Sequence, residues 1–248
     1  MTEPADLSAF VAALQNAHET GVRFAPSGSG VELPADRDAC LAVQRAVAAA
    51  RGGIAGFKVA AGAGAVAPVV APIAAVDVVE DGGSAAVRDV LGVELEIGFE
   101  LLKPLPGPGL PEPVAEYFVP RPVIELVDTR LESEGADTPL LKLADMQINA
   151  GMVAGAPLTD WDGNDFGSVK ARMTAGKTVV VDGAATVPGG SALANLALLC
   201  EVLGDHCGGL QPGQVVITGS LCGLPYFPAG TEVSGEIAGL GTVAVSLV

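Results

Sequence analysis

The sequence is short of positive charge, histidine and cysteine, and each shortage removes a class of function. It carries 13 Lys and Arg against 29 Asp and Glu, a formal net charge of −16. A phosphate-backbone binder needs a basic surface to displace counterions, so nucleic acid is excluded as a partner. Docking on an anionic membrane is disfavoured for the same reason. Only His18 and His206 are present, and there is no Gly-x-Ser-x-Gly elbow, which argues against a Ser-His-Asp triad. Four cysteines (Cys40, Cys200, Cys207 and Cys222) in 248 residues do not make a disulfide framework. With His206 they also lack the paired spacing of zinc ligands. The longest uncharged run, Val59 to Val76, is built of Ala, Gly and Val and broken by Pro68 and Pro72, so a membrane span is not expected. No signal-peptide pattern opens the chain, and the reading is a cytoplasmic, reduced protein. Half the residues are apolar, enough for a substantial core.

Three local patterns imitate known motifs without their context. Ala171 to Thr178 nearly fits a phosphate-binding loop, but strand-forming Val179, Val180 and Val181 follow where a helix is required, so a hairpin turn at Ala175-Gly176 is expected. Gly62 to Ala67 fits a dinucleotide fingerprint on paper, but Pro72 would break the helix it must open, so a Gly-Ala loop is expected. Asp160, Asp162 and Asp165 miss the glycine and glutamate positions of a calcium loop and read as capped turns.

Periodicity predicts two helices before any strong strand. Leu7, Phe10, Val11 and Leu14 lie on one helical face, which Gly21 can end. A second helix runs from about Arg37 to Arg51, capped by Asp36 or Asp38. Strands then dominate. Val93, Leu95, Ile97, Phe99 and Leu101 alternate with Glu94, Glu96, Gly98 and Glu100, and Pro122 to Leu131 reads as another strand. A helix-like stretch spans Leu140 to Ile148. Val169–Met173 and Thr178–Val181 pair as a hairpin, Ser191 caps a helix, and strands near Gln214–Thr218, Glu232–Ile237 and Thr242–Val248 close the chain. Helices first and strands later predict an α+β architecture, divided into an N-terminal helical segment (1–55) and one continuous β-rich unit (56–248).

The carboxylates carry the chemistry. Glu94 and Glu96 share a face of a strand whose other face is apolar. Glu125 sits among Val123, Ile124, Leu126 and Val127, apolar on both faces, where a carboxylate is costly without a partner. Three converging carboxylates repel one another unless a divalent cation neutralises them, and an all-oxygen set suits Mg²⁺ or Mn²⁺. Lys58, in the apolar stretch Gly56 to Ala60, has the setting of a proton-transfer or anion-binding lysine. Asp77 is the matching acid at the far end of the uncharged run.

These residues fall in an ordered series: Gly56-Phe57-Lys58-Val59, Glu94-Leu95-Glu96-Ile97, Ile124 to Arg130, Ala144-Asp145, Gly189-Gly190-Ser191, Val216 to Ser220 and Gly239-Leu240-Gly241. The series resembles the 2-keto-4-pentenoate hydratase and 4-oxalocrotonate decarboxylase group of the fumarylacetoacetate hydrolase superfamily, from about Leu33 to Val248. The resemblance implies a strand-rich mixed β roll of the fumarylacetoacetate hydrolase C-terminal-like type with N-terminal helices, usually in homo-oligomers, and a complex with a pathway enzyme is compatible with it. It implies Glu94, Glu96 and Glu125 as metal ligands for Mg²⁺ or Mn²⁺, Lys58 and Asp77 as catalytic residues, and Thr218, Val59 and Ile148 as substrate contacts. The activity it implies first is hydration of a 2-hydroxy-2,4-dienoate to a 4-hydroxy-2-keto acid through a metal-stabilised dienolate. The alternatives are decarboxylation of a 4-oxalocrotonate-type diacid, acylpyruvate carbon–carbon hydrolysis, and a non-catalytic partner subunit. Decarboxylation needs a base for a second carboxylate, and Arg130 and Lys170 are the residues the sequence offers. Ala60, Pro72 and Met146-Gln147-Ile148 depart from the family pattern near the expected substrate cavity.

Overall fold

The computed structural model describes residues 6–61, 68–132 and 137–248. The fingerprint-like stretch Gly62 to Ala67 lies outside the described residues. In chain order the elements are α1 (Ser8–Thr20), α2 (Arg37–Ala50), β1 (Ile54–Ala60), β2 (Val69–Ala74), β3 (Val78–Val79), β4 (Ser84–Ala85), β5 (Leu91–Leu101), β6 (Phe118–Val127), α3 (Pro139–Ala144), β7 (Asn149–Ala154), β8 (Ser168–Ala175), β9 (Thr178–Thr186), α4 (Ala192–Val202), β10 (Val215–Ser220), β11 (Tyr226–Phe227), β12 (Thr231–Ile237) and β13 (Gly241–Leu247). Among them no helix is long and apolar enough to cross a membrane.

The helix ends obey local chemistry. Asp36 accepts the Ala39 N–H at 2.9 Å at the start of α2, and Ser191 accepts the Ala194 N–H at 2.9 Å at the start of α4. Gly21 ends α1 in the left-handed region at φ 79°. The acidic loop forms capped turns: Asp162 accepts from Asn164 N, and Asp165 from the N–H groups of Phe166 and Leu193. The phosphate-loop look-alike is the turn of the β8–β9 hairpin.

Two sheets form the body. One has the order β2-β1-β10-β5-β6-β7-β3, with β11 beside β5; the other runs β4-β13-β12-β8-β9. The pairs β1/β10, β3/β7 and β4/β13 are parallel, and the rest antiparallel. The alternation along β5 decides how the sheets stack. Val93, Leu95, Ile97, Phe99 and Leu101 are all fully buried, in a cluster with Met173, Val233 and Val243 of the second sheet. A side chain on Gly235 of β12 would meet Leu95 Cδ1 at 2.6 Å, so the sheets touch across a bare backbone there. The opposite face of β5 carries Glu94 and Glu96. Helices α1, α2 and α3 share a separate apolar cluster around Phe10, Leu14, Val43, Val47 and Leu143.

Strand β6 starts at Phe118, four residues before the Pro122 boundary read from the sequence. Pro120 and Pro122 sit inside it without penalty. Their carbonyls accept from Leu158 and Gly155, on the side away from β5, so the missing N–H groups leave the β5 ladder intact.

Arg130 is 3% exposed and spends its guanidinium on Asp145 Oδ1 (2.6 Å) and on the carbonyls of Asp128 (2.8 Å), Asn149 (2.7 Å) and Asp145 (2.7 Å). It is a buried structural clamp, so the guanidinium that the sequence offered for a second carboxylate is already engaged within the protein. The clamp pins the end of α3, and the chain then passes through three consecutive left-handed residues, Met146 (φ 52°), Gln147 (φ 49°) and Ile148 (φ 56°). Left-handed backbone costs about 1–3 kcal/mol per non-glycine residue and persists where its surroundings enforce it. The helix read over Leu140–Ile148 therefore stops at Ala144.

Candidate metal centre and its cavity

The register brings the glutamates together. Glu94 of β5 stands directly opposite Glu125 of β6, and Glu96 opposes Val123 on the same face. A carboxylate oxygen from each of Glu94, Glu96 and Glu125 lies within 4.8 Å of the others, the one cluster among the described residues that could hold a metal ion. Like charges at directly opposed positions destabilise a sheet, so the arrangement needs compensation. Part of it comes from Lys58 on β1, whose Nζ donates to Glu125 Oε1 at 2.5 Å and to the Gln147 carbonyl at 3.4 Å. Asn149 Nδ2 donates to the same Glu125 oxygen at 2.8 Å. Gly219 N–H donates to Glu96 Oε2 at 2.6 Å, from an irregularity in β10 where Gly219 adopts φ +110°.

The compensation is incomplete. Glu125 is 0% exposed, and its Oε2 is buried with no hydrogen-bond partner. Burial, then the charge of Glu125, pushes the Glu94 carboxyl up from its usual range. Burial, Glu125 and Glu94 push Glu96 well above it. Burial would lower Lys58, but Glu125, Glu96 and Glu94 outweigh it and hold the ammonium above its ordinary value. An orphaned carboxylate oxygen beside two carboxyls pushed toward neutrality is the electrostatic fit for a divalent cation.

A cavity of about 340 Å³ opens over this cluster, in the size range of small-ligand sites. Lys58, Val59, Glu94, Glu96, Glu125, Ile148 and Thr218 all line it. Thr218 is buried, and its hydroxyl donates to the Ile97 carbonyl at 2.8 Å. Asp77 does not join them. It lies in a short turn after β2, paired with Arg51 at 2.5 Å, and lines a separate cavity with His18 and Arg88. Asp77 and Lys58 thus line different cavities, and the guanidinium at the end of α2 pairs with Asp77. Lys170 is also displaced, to the second sheet beside Arg172 and Asp182. Asn149, Asn195 and Lys142 belong to the site or its lining and were not singled out in the sequence, whereas Gln147 and Ser220 entered only as members of motifs.

Neither histidine lines this cavity. His206 bonds Gln44 Oε1 at 2.8 Å, and burial lowers it to about 4. His18 is lowered to about 2, chiefly by burial. The four cysteines are free thiols.

The raised carboxyls fix a pH dependence. A folded glutamate titrating above its unfolded value of about 4.5 binds more protons than the unfolded chain, so it withdraws stability as pH rises through that window. A cation competes with those protons, so its stabilisation must grow with pH. Metal at about a hundred times its dissociation constant adds about 2.7 kcal/mol, or about 5–10 °C in melting temperature for this size of domain. We expect the increment conferred by Mn²⁺ to rise from about pH 5 to about pH 8. The histidines titrate alike with and without metal and cancel in the difference. A pH-independent increment, measured by melting in EDTA and in Mn²⁺, contradicts this electrostatic picture.

No protein-family model matches the chain. It is 24% identical over 158 residues to a 4-oxalocrotonate decarboxylase of Pseudomonas putida, a match spanning 63% of this chain and 60% of that protein, less than two thirds of its length. Its backbone resembles 4-oxalocrotonate decarboxylase from Pseudomonas putida G7 in complex with magnesium and adipate, with a TM-score of 0.78 and 21% identity over 98% of this chain and 97% of that one. Fumarylpyruvate hydrolase from Pseudomonas aeruginosa, in complex with Mn²⁺ and pyruvate, is similar at a TM-score of 0.56 and 15% identity, over 77% of this chain and 88% of that one. The chain thus has the α+β fold shared by 4-oxalocrotonate decarboxylase and fumarylpyruvate hydrolase, as the motif resemblance to the fumarylacetoacetate hydrolase superfamily implied.

Proposed function

We propose that the chain is a divalent-metal-dependent enzyme that decarboxylates a 2-keto diacid of the 4-oxalocrotonate type. The observation that carries the chemistry is the cluster of Glu94, Glu96 and Glu125 around Lys58 in a small-molecule cavity. Similarity to 4-oxalocrotonate decarboxylase in sequence and in fold supports the diacid, and so moves this activity ahead of the hydratase that the motifs suggested first.

Glu94, Glu96 and Glu125 would hold the cation. When bound, Mg²⁺ or Mn²⁺ supplies a fixed positive charge against the keto acid's oxygens. The reaction breaks the bond between the remote carboxyl carbon and its neighbour. Carbon dioxide leaves, and the electron pair runs along the conjugated chain to the keto oxygen. Lys58 Nζ, held protonated by the glutamates, offers its N–H to that oxygen and delivers the proton that completes the dienol. Its proton returns from solvent. Val59 and Ile148 form walls that exclude water from the developing charge, and Thr218 holds the β10 turn that aims Gly219 N–H at Glu96. Hydration of a 2-hydroxydienoate would use the same charge stabilisation: protonation at C5 would give the 3-enoic 2-keto acid, and water would add at C4 to give the 4-hydroxy-2-keto acid.

The test is metal-loaded protein on a panel of 4-oxalocrotonate, 2-hydroxypenta-2,4-dienoate and acylpyruvates, with products identified. Carbon dioxide and a 2-hydroxydienoate from the diacid are expected. Conversion of the dienoate to a 4-hydroxy-2-keto acid, with no carbon dioxide from the diacid, would establish the hydratase instead. No turnover of any of them contradicts both.

A further inference from the structure

We propose that Lys142 binds the second carboxylate of the diacid in the glutamate cavity, an inference that rests on the reading above. Lys142 and Lys58 are the two cations lining that cavity among the described residues. Lys58 is already committed, at 2.5 Å, to Glu125. The Lys142 ammonium has no hydrogen bond or ion pair with any described residue, while its backbone N–H donates to the Thr138 carbonyl at 2.8 Å in α3. Its neighbours Leu141 and Leu143 are buried in the N-terminal apolar cluster, and the Arg130–Asp145 clamp follows three residues on. The lysine is therefore carried on a fixed base with its charge uncommitted among the described residues.

Charge balance says what such a lysine is for. Three glutamates, one divalent cation and Lys58 leave the cavity formally neutral, which suits a monoacid no better than a diacid. Lys142 makes it positive. The lining also includes Ile148 and Leu224, apolar surface for a hydrocarbon chain bearing a charge at each end. Lys142 sits in the last turn of a short helix, where a cation is also favoured by the backbone dipole, but that role alone does not require a position on this cavity. The role is one of specificity. That carboxylate is the group that leaves as carbon dioxide, so its ion pair is made in the bound diacid and lost as the bond breaks, and it contributes to binding and not to the chemical step.

The test titrates Mn²⁺-loaded protein with adipate, a saturated diacid of the same length, and with pyruvate, a monoacid. A charge-assisted hydrogen bond of this kind corresponds to about a tenfold change in affinity. Lys142→Ala should weaken adipate about tenfold or more and leave pyruvate within about twofold, and Lys142→Arg should restore most of the adipate affinity. With 4-oxalocrotonate, KM should rise about tenfold while kcat stays level or rises, because the lost contact is to the group that departs. Adipate affinity unchanged in Lys142→Ala, or a parallel loss of adipate and pyruvate, overturns the role of Lys142. Wild-type protein that binds pyruvate but prefers no diacid, or binds neither acid, overturns the diacid reading itself.

Discussion

Lys58→Met should lower turnover by about 10²- to 10⁴-fold without weakening Mn²⁺. The two halves of that expectation come from one contact. The ammonium is 2.5 Å from Glu125 Oε1 and is held protonated by three carboxylates, so it is the group placed to give up a proton beside the glutamate cluster. It is also a positive charge that competes with a cation for the same glutamates, so its removal favours the metal. In metal-free protein the cost is large. Glu125 is fully buried, and breaking a buried pair by deleting one partner costs about 3–5 kcal/mol. Added Mn²⁺ should return most of it. Lys58→Arg should keep the pairing and the stability but not the turnover, because a guanidinium does not release a proton in the accessible pH range. Turnover, Mn²⁺ titration and melting with and without metal check the set. A Lys58→Met protein that turns over within a few-fold of wild type removes Lys58 from the chemistry.

What the sequence made legible follows from period and burial. The alternation in Val93 to Leu101 placed Glu94 and Glu96 on one face, and the register shows that face turned to the cavity while the other packs on the second sheet. Glu125 could be found because no solvated face was available to it. The caps at Asp36, Ser191 and Gly21 are local chemistry and were readable as such. What was hidden depends on long-range partners. Asp77 looked like a companion to Lys58 because both interrupt apolar stretches, and nothing in its spacing announces Arg51. Arg130 looked available because its clamp on Asp145 spans 15 residues and depends on how α3 ends. Lys142 was absorbed into a helix read through Ile148. Only the left-handed run Met146–Ile148, which no periodicity encodes, separates α3 from β7 and leaves Lys142 over the cavity. The base proposed for the second carboxylate thus lies in neither of the elements that carry Arg130 and Lys170.

The second large effect belongs to Glu96. It is 2% exposed, repelled by Glu125 and Glu94, and bonded only to Gly219 N–H at 2.6 Å. Glu96→Gln keeps an acceptor for that N–H and removes the charge. Metal affinity should fall by at least about 10- to 100-fold, the scale on which even supporting contacts of a metal site act. The metal-free protein should become more stable, because the substitution relieves a buried repulsion. Loss of metal with gain of stability is a combination that general damage to the fold does not produce. Glu100→Gln is the matched control: Glu100 lies on the same face of β5 but pairs with Arg121 at 3.1 Å, outside the cluster.

The most direct measurement of the metal centre is therefore Mn²⁺ binding by electron paramagnetic resonance and calorimetry, on the wild-type chain and on Glu94→Gln, Glu96→Gln, Glu125→Gln and Glu100→Gln. A single Mn²⁺ per chain, weakened by each of the first three substitutions and untouched by the fourth, is the predicted result. Wild-type protein that binds no Mn²⁺, or binding that survives all three substitutions unchanged, would contradict it.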